Sequence, residues 1–233
     1  MKKGKASGVD NLCLEHVLFS HPLIFVHLRN LFNLMIKHSY VPDQFGFGII
    51  VPLVKDRSKN LYDSSNYRGI TISPVLSKIF ENVLLDKFGT FLQSHSLQVG
   101  FKKNLGCAHA IYTVQQVVKY FSQRNSSVYI STLDASKAFD MVDHKQLFYK
   151  LKQRNTPSCF IKIIGCWYNK LFSVVRWNGA LSSQFKVFLG VRQGGILSPV
   201  LFNVYVDDII YLLQNSGYGC YVNKLFFWLY YVR

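Results

Sequence analysis

Two β-branched runs on either side of a polar loop most constrain how this chain folds. FGFGIIVPLV and YRGITI are rich in strand-forming residues, and the stretch between them, KDRSKNLYDSSN, is made of turn-forming and charged residues. Apolar runs separated by such a segment predict two antiparallel strands that form a hairpin. Because the loop contains several Lys and Arg residues, we expect a basic tip.

The sequence after the hairpin predicts amphipathic helices. SPVLSKIFENVLLDKF begins with Ser73, a residue type that caps helices, and Pro74, which suits the first helical position. Apolar residues then recur with helical spacing, and the same period marks AIYTVQQVVKYF. We therefore expect one helix over residues 74–88 and another over residues 110–121.

A third stretch places an acidic residue at the end of a predicted strand. SVYISTL is rich in β-forming residues and ends directly before Asp134. Asp143 and Gln146 have the spacing of a capping box, which predicts a helix from about His144. A carboxylate just beyond a strand end is well placed to bind a metal, and a strand-end or capping role is the alternative.

Glycines punctuate the segment LGVRQGGILSPVLF. Gly190, Gly194 and Gly195 allow tight turns or close approach of the backbone to a ligand. Ser198 and Pro199 then indicate the start of a helix. A glycine-rich turn that opens a helix can bind phosphate, but alone it is a weak indication of function.

The charge balance favours a polyanionic partner. The 233-residue chain has 27 Lys and Arg against 12 Asp and Glu, a net charge of +15. Each phosphate that such a surface neutralises releases counterions, so nucleic acid is the expected partner. No apolar run reaches the ~20 residues of a membrane-spanning helix, and we expect no membrane partner.

In combination these segments resemble one family. From about residue 5 to about residue 227, the chain is similar to the reverse transcriptase domain of LINE-type, non-LTR retrotransposons. KASGVDNL is similar to its N-terminal block, IIVPLVKD and NYRGITI to its two fingers motifs, and VGFKKNLGCAHAI to its "GF+ … AI" segment. LDASKAFDMVDH resembles motif A, and GVRQGGILSPVLFNVYVDDI resembles motif B.

The resemblance implies an α+β fold with the right-hand shape of polymerases, in which the palm is incomplete and the thumb is absent. Within one partial reverse transcriptase domain (1–233), it implies fingers at residues 1–125 and 143–192 and a partial palm at residues 126–142 and 193–233. It also implies an RNA template, a DNA primer and a dNTP as partners. Mg²⁺ is the implied cofactor, because the family adds dNTPs by a two-magnesium mechanism.

The matched motifs imply roles for individual residues. Asp134 matches the aspartate that binds the catalytic metal, and Ala135 would offer its backbone carbonyl to metal and nucleotide. Phe139 matches the aromatic that stacks beneath the sugar and excludes a 2′-hydroxyl, a core aromatic being the alternative. Lys55 and Arg68 match the cations that grip the triphosphate, Arg68 by bidentate hydrogen bonds and Lys55 as a point charge. A solvated basic loop is the alternative for these two.

Motif B and its neighbours imply further roles. Gln193 matches the glutamine that contacts the incoming nucleotide and the template, and Gly194 allows the backbone to approach that nucleotide. Of the acids that follow motif A's aspartate, we interpret Asp140 as structural and Asp143 as a helix cap. Gly69 departs from the family, which usually has Pro or Ala there, and we expect it to loosen the fingertip.

Asp207 and Asp208 lie in NVYVDDII, an aromatic-x-Asp-Asp pattern that many polymerases use to hold two magnesium ions. In the family that pair belongs to motif C, at a hairpin turn well after motif B. Here a helix that begins at Ser198 would still be in progress at Asp207, because apolar residues keep a helical stripe through the pair. We therefore predict that both aspartates lie on the polar face of a helix and do not bind catalytic metal.

Motif C itself is expected after GCYVNKLFF, which is interpreted as its approach strand. The family continues there in the style of G-C-x-x-Y-A-D-D, whereas this chain reads WLYYVR, so the motif C ligands are absent. Asp134 alone cannot hold two magnesium ions ~3.5–4 Å apart. If a set of codons that encodes WLYYVR is translated from one base later, it can encode Gly-Cys-Ile-Met-Tyr and the first bases of an Ala codon. We hypothesise a frameshift in a decayed element copy.

Three interpretations of the sequence stay open. The first is a truncated reverse transcriptase domain that is inactive alone because the motif C aspartates are missing. The second is a non-catalytic basic remnant that binds RNA or an RNA–DNA duplex. The third is a reading frame whose product misfolds, because a severed palm would expose the edge of the GCYVNKLFF strand.

Overall fold

The computed structural model describes residues 3–132, 134–217, 219–222 and 225–227, and only the backbone at 221–222 and 225–227. The WLYYVR tail of the frameshift hypothesis lies outside the described residues, as does Leu133 at the end of SVYISTL.

The described chain mixes helices and strands, which confirms the α+β class. Its helices are α1 (Leu14–Leu18), α2 (Leu23–His38), α3 (Asp43–Gly46), α4 (Val75–Phe88), α5 (Cys107–Ser122), α6 (His144–Gln153), α7 (Ser158–Asn169), α8 (Ser198–Val206) and α9 (Asp208–Asn215). Its strands are β1 (Phe47–Val54), β2 (Tyr67–Ile72), β3 (Phe172–Trp177), β4 (Ala180–Leu181), β5 (Phe185–Lys186), β6 (Cys220–Val222) and β7 (Leu225–Phe227). Of the helices in the described part, none has the length and apolar character needed to cross a bilayer.

The predicted hairpin forms one edge of the main sheet. β1 and β2 pair antiparallel, with Leu53 opposite Arg68, which confirms the hairpin prediction. β3 lies parallel to β1 on its other edge, so the strand order is β2-β1-β3-β4, and β5 also pairs with β3. β6 and β7 form a separate antiparallel pair.

An aromatic cluster ties the helices to the start of the sheet. The ring centroid of Phe80 on α4 lies 5.1 Å from that of Phe32 on α2 and 5.7 Å from that of Trp167 on α7. Trp167 Nε1 also donates a hydrogen bond of 3.0 Å to the carbonyl of Phe45, directly before β1. Buried aromatic rings of this size supply much of the hydrophobic stabilisation of a core.

The helices predicted from sequence are present, with changes at their ends. α4 begins at Val75, because Pro74 has φ −52° and ψ 145° and precedes the helix; the predicted Ser73 cap is therefore wrong. α5 starts at Cys107 and its apolar side is incompletely covered, with Ile111 52% exposed. The prediction for α6 is confirmed, since Asp143 accepts the backbone N–H of Gln146 at 2.8 Å.

The strand predicted for SVYISTL is wrong. Residues 127–132 have no regular secondary structure, and Tyr129 and Ile130 are 95% and 61% exposed. β-forming residues make a stable strand only where another strand pairs with them. Among the described strands none pairs with this segment. The single approach strand predicted for GCYVNKLFF is also wrong, because that segment contains the two paired strands β6 and β7.

Candidate nucleotide-binding site

The turn that contains Gln193 joins segments that are far apart in the sequence. The backbone N–H of Thr71 in β2 donates to the carbonyl of Gln193 at 2.7 Å. Gln193 Nε2 donates to Asp140 Oδ1 at 3.0 Å, and the N–H of Val191 donates to the carbonyl of Phe139 at 2.8 Å. The turn is therefore held between the β1–β2 hairpin and the segment that the sequence matched to motif A.

The glycines of this segment are needed for two different reasons. Gly190 and Gly194 have φ of +89° and +121°, which L side chains rarely adopt, so the predicted tight turns are confirmed there. A Cβ at Gly194 would also lie 2.7 Å from the carbonyl oxygen of Thr71. At Gly195 the requirement is space, since a Cβ would lie 2.6 Å from Ser198 Oγ.

Phe139 packs among other aromatic rings. Its ring centroid lies 4.8 Å from that of Phe202 on α8 and 5.3 Å from that of Phe101. The ring is partly buried against the main hydrophobic core. These contacts fit the alternative of a core aromatic, and the role beneath the nucleotide sugar stays a prediction.

Lys55 and Arg68 lie at the loop end of the β1–β2 hairpin. Lys55 Nζ donates to the carbonyl of Ser65 at 2.8 Å, and Arg68 is exposed on β2. Asp56 and Asp63 each bind the hydroxyl and the backbone N–H of a serine two residues on, which lowers the pKa of both carboxyls. The tip therefore carries a mixed but mainly basic set of charges, as the sequence predicts.

Gly69 lies inside a paired strand. This residue pairs with Pro52 of β1 in the middle of the antiparallel ladder. A Cβ at Gly69 would lie 3.0 Å from Ile50 Cγ2, so the neighbouring strand crowds this position. That Gly69 loosens the fingertip stays a prediction.

Asp134 belongs to no group of three or more possible metal ligands among the described residues. Asp134 and Ala135 are both exposed, in a segment without regular secondary structure. Within the described ranges, no group of three or more His, Cys, Asp and Glu side chains is placed to hold a metal ion. Magnesium needs near-octahedral oxygen coordination and usually takes more than one carboxylate in two-metal sites. The described residues therefore do not fit the two-magnesium centre that the resemblance implies.

Asp207 and Asp208 lie in helical backbone next to α6. α8 ends directly before Asp207, which keeps helical dihedrals (φ −62°, ψ −30°), and α9 begins at Asp208. The prediction of a helix rather than a hairpin turn is confirmed. That neither residue binds catalytic metal stays a prediction.

The two aspartates differ in burial, which corrects the expectation that both lie on a polar face. Asp207 is 1% exposed, forms an ion pair with Arg154, directly after α6, and accepts the backbone N–H of His95 at 2.8 Å. Asp208 is about half exposed and pairs with Lys150 Nζ at 2.8 Å. A carboxylate can be buried when a cation and a further donor satisfy it, and Asp207 has both.

Glu81 is a buried acid that the sequence analysis missed. It lies on α4 and is 5% exposed, and its Oε2 accepts the backbone N–H groups of Ile196 and Leu197, the second at 3.1 Å. Burial raises the pKa of Glu81, although the two N–H groups and Arg192 oppose that shift. The helical period could have indicated this burial, because Glu81 lies four residues after Ser77 and three before Leu84, both of which are buried on α4.

Comparison with known proteins places the chain in a family. The profile of the reverse transcriptase (RNA-dependent DNA polymerase) family matches residues 54–230, and this chain belongs to that family. The chain is 26% identical over 211 residues to the "Probable RNA-directed DNA polymerase from transposon X-element" of Drosophila melanogaster. The aligned region covers 88% of this chain and 23% of that protein.

Two further relatives also come from retrotransposons. The RNA-directed DNA polymerase from mobile element jockey of Drosophila funebris is 27% identical over 213 residues, covering 90% of this chain and 23% of that protein. The chain is also 29% identical over 151 residues to the Retrovirus-related Pol polyprotein from type-2 retrotransposable element R2DM of Drosophila melanogaster. That aligned region covers 65% of this chain and 14% of the relative. These matches confirm the resemblance to non-LTR retrotransposon reverse transcriptases. The chain spans less than a quarter of the length of each of these relatives.

Proposed function

We propose that this chain forms the nucleotide- and template-binding part of an RNA-directed DNA polymerase from a non-LTR retrotransposon. The observation that carries the proposal is the 2.7 Å hydrogen bond from Thr71 N to the carbonyl of Gln193. It joins the two motifs that, by their resemblance to the family's motifs, are expected to bind the nucleotide. Arg68 lies on the same strand as Thr71, so one strand carries the cation for the triphosphate and holds the turn of the glutamine.

Each residue of the proposed site has a distinct task. Arg68 binds phosphate oxygens through its planar fork, and Lys55 adds a point charge. Gln193 contacts the nucleotide and the template base, while Gly194 lets the backbone approach them. Phe139 stacks beneath the sugar. The partners are then an RNA template, a DNA primer and a dNTP, bound where the proposed fingers (1–125 and 143–192) meet the proposed partial palm (126–142 and 193–233).

The acidic residues support a limit on this activity. Asp140 is hydrogen-bonded to Gln193, Asp143 caps α6, and Asp207 and Asp208 pair with cations at the end of α6, which leaves Asp134 as the candidate metal ligand among these acids. We propose that this polypeptide binds template–primer and nucleotide but does not extend a primer unless further carboxylates are supplied.

A second candidate is a non-catalytic remnant that binds RNA or an RNA–DNA duplex without a nucleotide. The exposed cations near the hairpin tip favour it, since Arg57, Lys59, Arg68 and Arg176 are all exposed. Both candidates predict binding that weakens as salt is raised, because phosphate contacts release counterions. They differ in the response to a nucleotide.

The two candidate functions can be distinguished with a dead-end complex, in which a terminated primer prevents nucleotide addition. The 233-residue chain is mixed with an RNA template annealed to a dideoxy-terminated DNA primer, and the dissociation rate of the complex is measured in Mg²⁺ with complementary or non-complementary dNTP. The proposed function predicts that only the complementary dNTP slows dissociation and that Arg68→Ala abolishes the effect. Arg57→Ala, at an exposed position of the loop that joins β1 to β2, is the matched control and should retain it. Dissociation that no dNTP changes would instead support the second candidate.

A further inference from the structure

Glu81 supplies hydrogen-bond acceptors to backbone groups that the start of α8 leaves without helical partners. The first N–H groups of a helix cannot bond within the helix and need another acceptor. Here the N–H groups of Ile196 and Leu197, directly before α8, both donate to Glu81 Oε2. The carboxylate comes from the middle of α4, so it acts as a cap donated by a different helix.

The other side of the same turn is fixed by Arg192. Its guanidinium donates to the carbonyls of Phe45, at 3.0 Å, and Gly46, and to Ser73 Oγ at 3.3 Å. The segment is thus attached to the rest of the chain directly before Gln193 and again at Ile196.

Between these two attachments lie Gln193, Gly194 and Gly195. Two consecutive glycines have more conformational freedom than any other pair of residues, so the turn needs outside contacts to keep one conformation. Gly195 packs close to the Glu81 carboxylate, since a Cβ there would lie 3.4 Å from Glu81 Oε1. The buried acid therefore contacts the far side of the turn whose near side presents Gln193.

We propose that Glu81 is a positioning residue for nucleotide binding: by accepting the N–H groups of Ile196 and Leu197, it fixes the turn in the conformation that presents Gln193 to the incoming dNTP. This inference rests on the proposed function of the Gln193 turn. Glu81 itself does not touch the nucleotide.

The geometry suggests variants that test whether the hydrogen-bond acceptor or the negative charge of Glu81 holds the turn. Both N–H groups donate to a single oxygen, which a carboxamide also provides, so Glu81→Gln keeps the cap. Glu81→Asp keeps the charge but withdraws the oxygen by one methylene group. Glu81→Leu removes the acceptor altogether. Asp86, an exposed carboxylate on the same helix, gives the matched control Asp86→Leu.

The test combines two measurements on the 233-residue chain. Amide hydrogen exchange at Ile196 and Leu197 reports the cap, and the dead-end complex reports how strongly the complementary dNTP is held. We expect Glu81→Leu and Glu81→Asp to speed exchange at both amides and to weaken dNTP binding by about tenfold, the size of the effect of losing one ordinary hydrogen bond. Affinity for template–primer without dNTP stays unchanged, and Glu81→Gln and Asp86→Leu match the unaltered chain in both measurements.

Different failures have different meanings. If the unaltered chain holds dNTP and Glu81→Asp speeds amide exchange without weakening dNTP binding, the positioning role is wrong while the proposed function stands. A Glu81→Gln variant as weak as Glu81→Asp would overturn the acceptor role in the same way. If the unaltered chain shows no dNTP effect, both the proposed function and this inference fail. Should Glu81→Leu not fold, Glu81→Asp carries the comparison, because it keeps a carboxylate at the site.

Discussion

Arg154, the residue directly after α6, forms an ion pair with Asp207, a carboxylate that is 1% exposed. The Nζ of Lys150, in the last turn of α6, lies 2.8 Å from Asp208. Two adjacent aspartates that match a polymerase sequence pattern are thus paired with two cations at the end of one helix. This relationship supports a structural role for the pair at the junction of α8 and α9.

The buried ion pair should matter far more to stability than the exposed one. Asp207→Asn removes the counter-charge of Arg154 and should lower the free energy of unfolding by about 3 kcal/mol, the usual cost of breaking a buried pair. Asp208→Asn breaks a half-exposed pair and should cost about 0–1 kcal/mol. Urea unfolding of both variants checks this, and equal losses would contradict the structural role of Asp207.

The conformation of Gly194 predicts a large effect of one methyl group. Gly194→Ala places a Cβ 2.7 Å from the Thr71 carbonyl at φ +121°, so it should destabilise the chain by about 1–3 kcal/mol. Gly165→Ala on α7 is the matched control, because its Cβ would meet nothing within 4 Å. That control should be neutral or stabilising by up to about 1 kcal/mol. Thermal unfolding of the two variants compares them, and a Gly194→Ala variant as stable as the control would be inconsistent with the turn described here.

The pH dependence of stability should contain a contribution from Glu81. Burial raises the pKa of Glu81 above its ordinary value of 4.5, so the folded chain binds this proton more tightly than the unfolded chain. The resulting stabilisation is fully present below pH 4.5 and is lost as pH rises through the raised pKa. Glu81→Gln should therefore flatten the fall in unfolding free energy over that window.

Glu15 is a control for that measurement, because its pKa is shifted in the opposite direction from that of Glu81. Its pKa is lowered, first by the backbone N–H of Gly4, so its contribution is present above pH 4.5 and is lost as pH falls. Glu15→Gln should leave the window above pH 4.5 unchanged. If Glu81→Gln also left it unchanged, the raised pKa of Glu81 would be refuted.

Local patterns predicted the parts of the fold that depend on neighbouring residues. The β1–β2 hairpin followed from two β-branched runs around a polar loop, and α6 followed from the Asp143 cap. SVYISTL has the same strand-forming composition, but a strand needs a partner, and its composition does not say whether one is available. Residues 127–132 illustrate that difference.

The candidate site was predictable only in part for a similar reason. The motif match located the turn of Gln193 and the hairpin of Arg68, and the structure brings these two together through Thr71. The burial of Asp207 depends on Arg154, and the role of Glu81 depends on N–H groups of Ile196 and Leu197, which lie far away in the sequence. Such pairings are set by tertiary packing, which the helical period of one segment cannot reveal.

The central proposal is that the 233-residue polypeptide binds template–primer and dNTP but does not extend a primer by itself, and primer extension tests it most directly. The assay uses an RNA template, a DNA primer with a free 3′-hydroxyl, the four dNTPs and Mg²⁺, and resolves the addition of a single nucleotide. The account predicts salt-dependent binding of the template–primer and no extension. Extension by the 233-residue chain would contradict the claim, and extension that survives Asp134→Ala would also refute the assignment of Asp134.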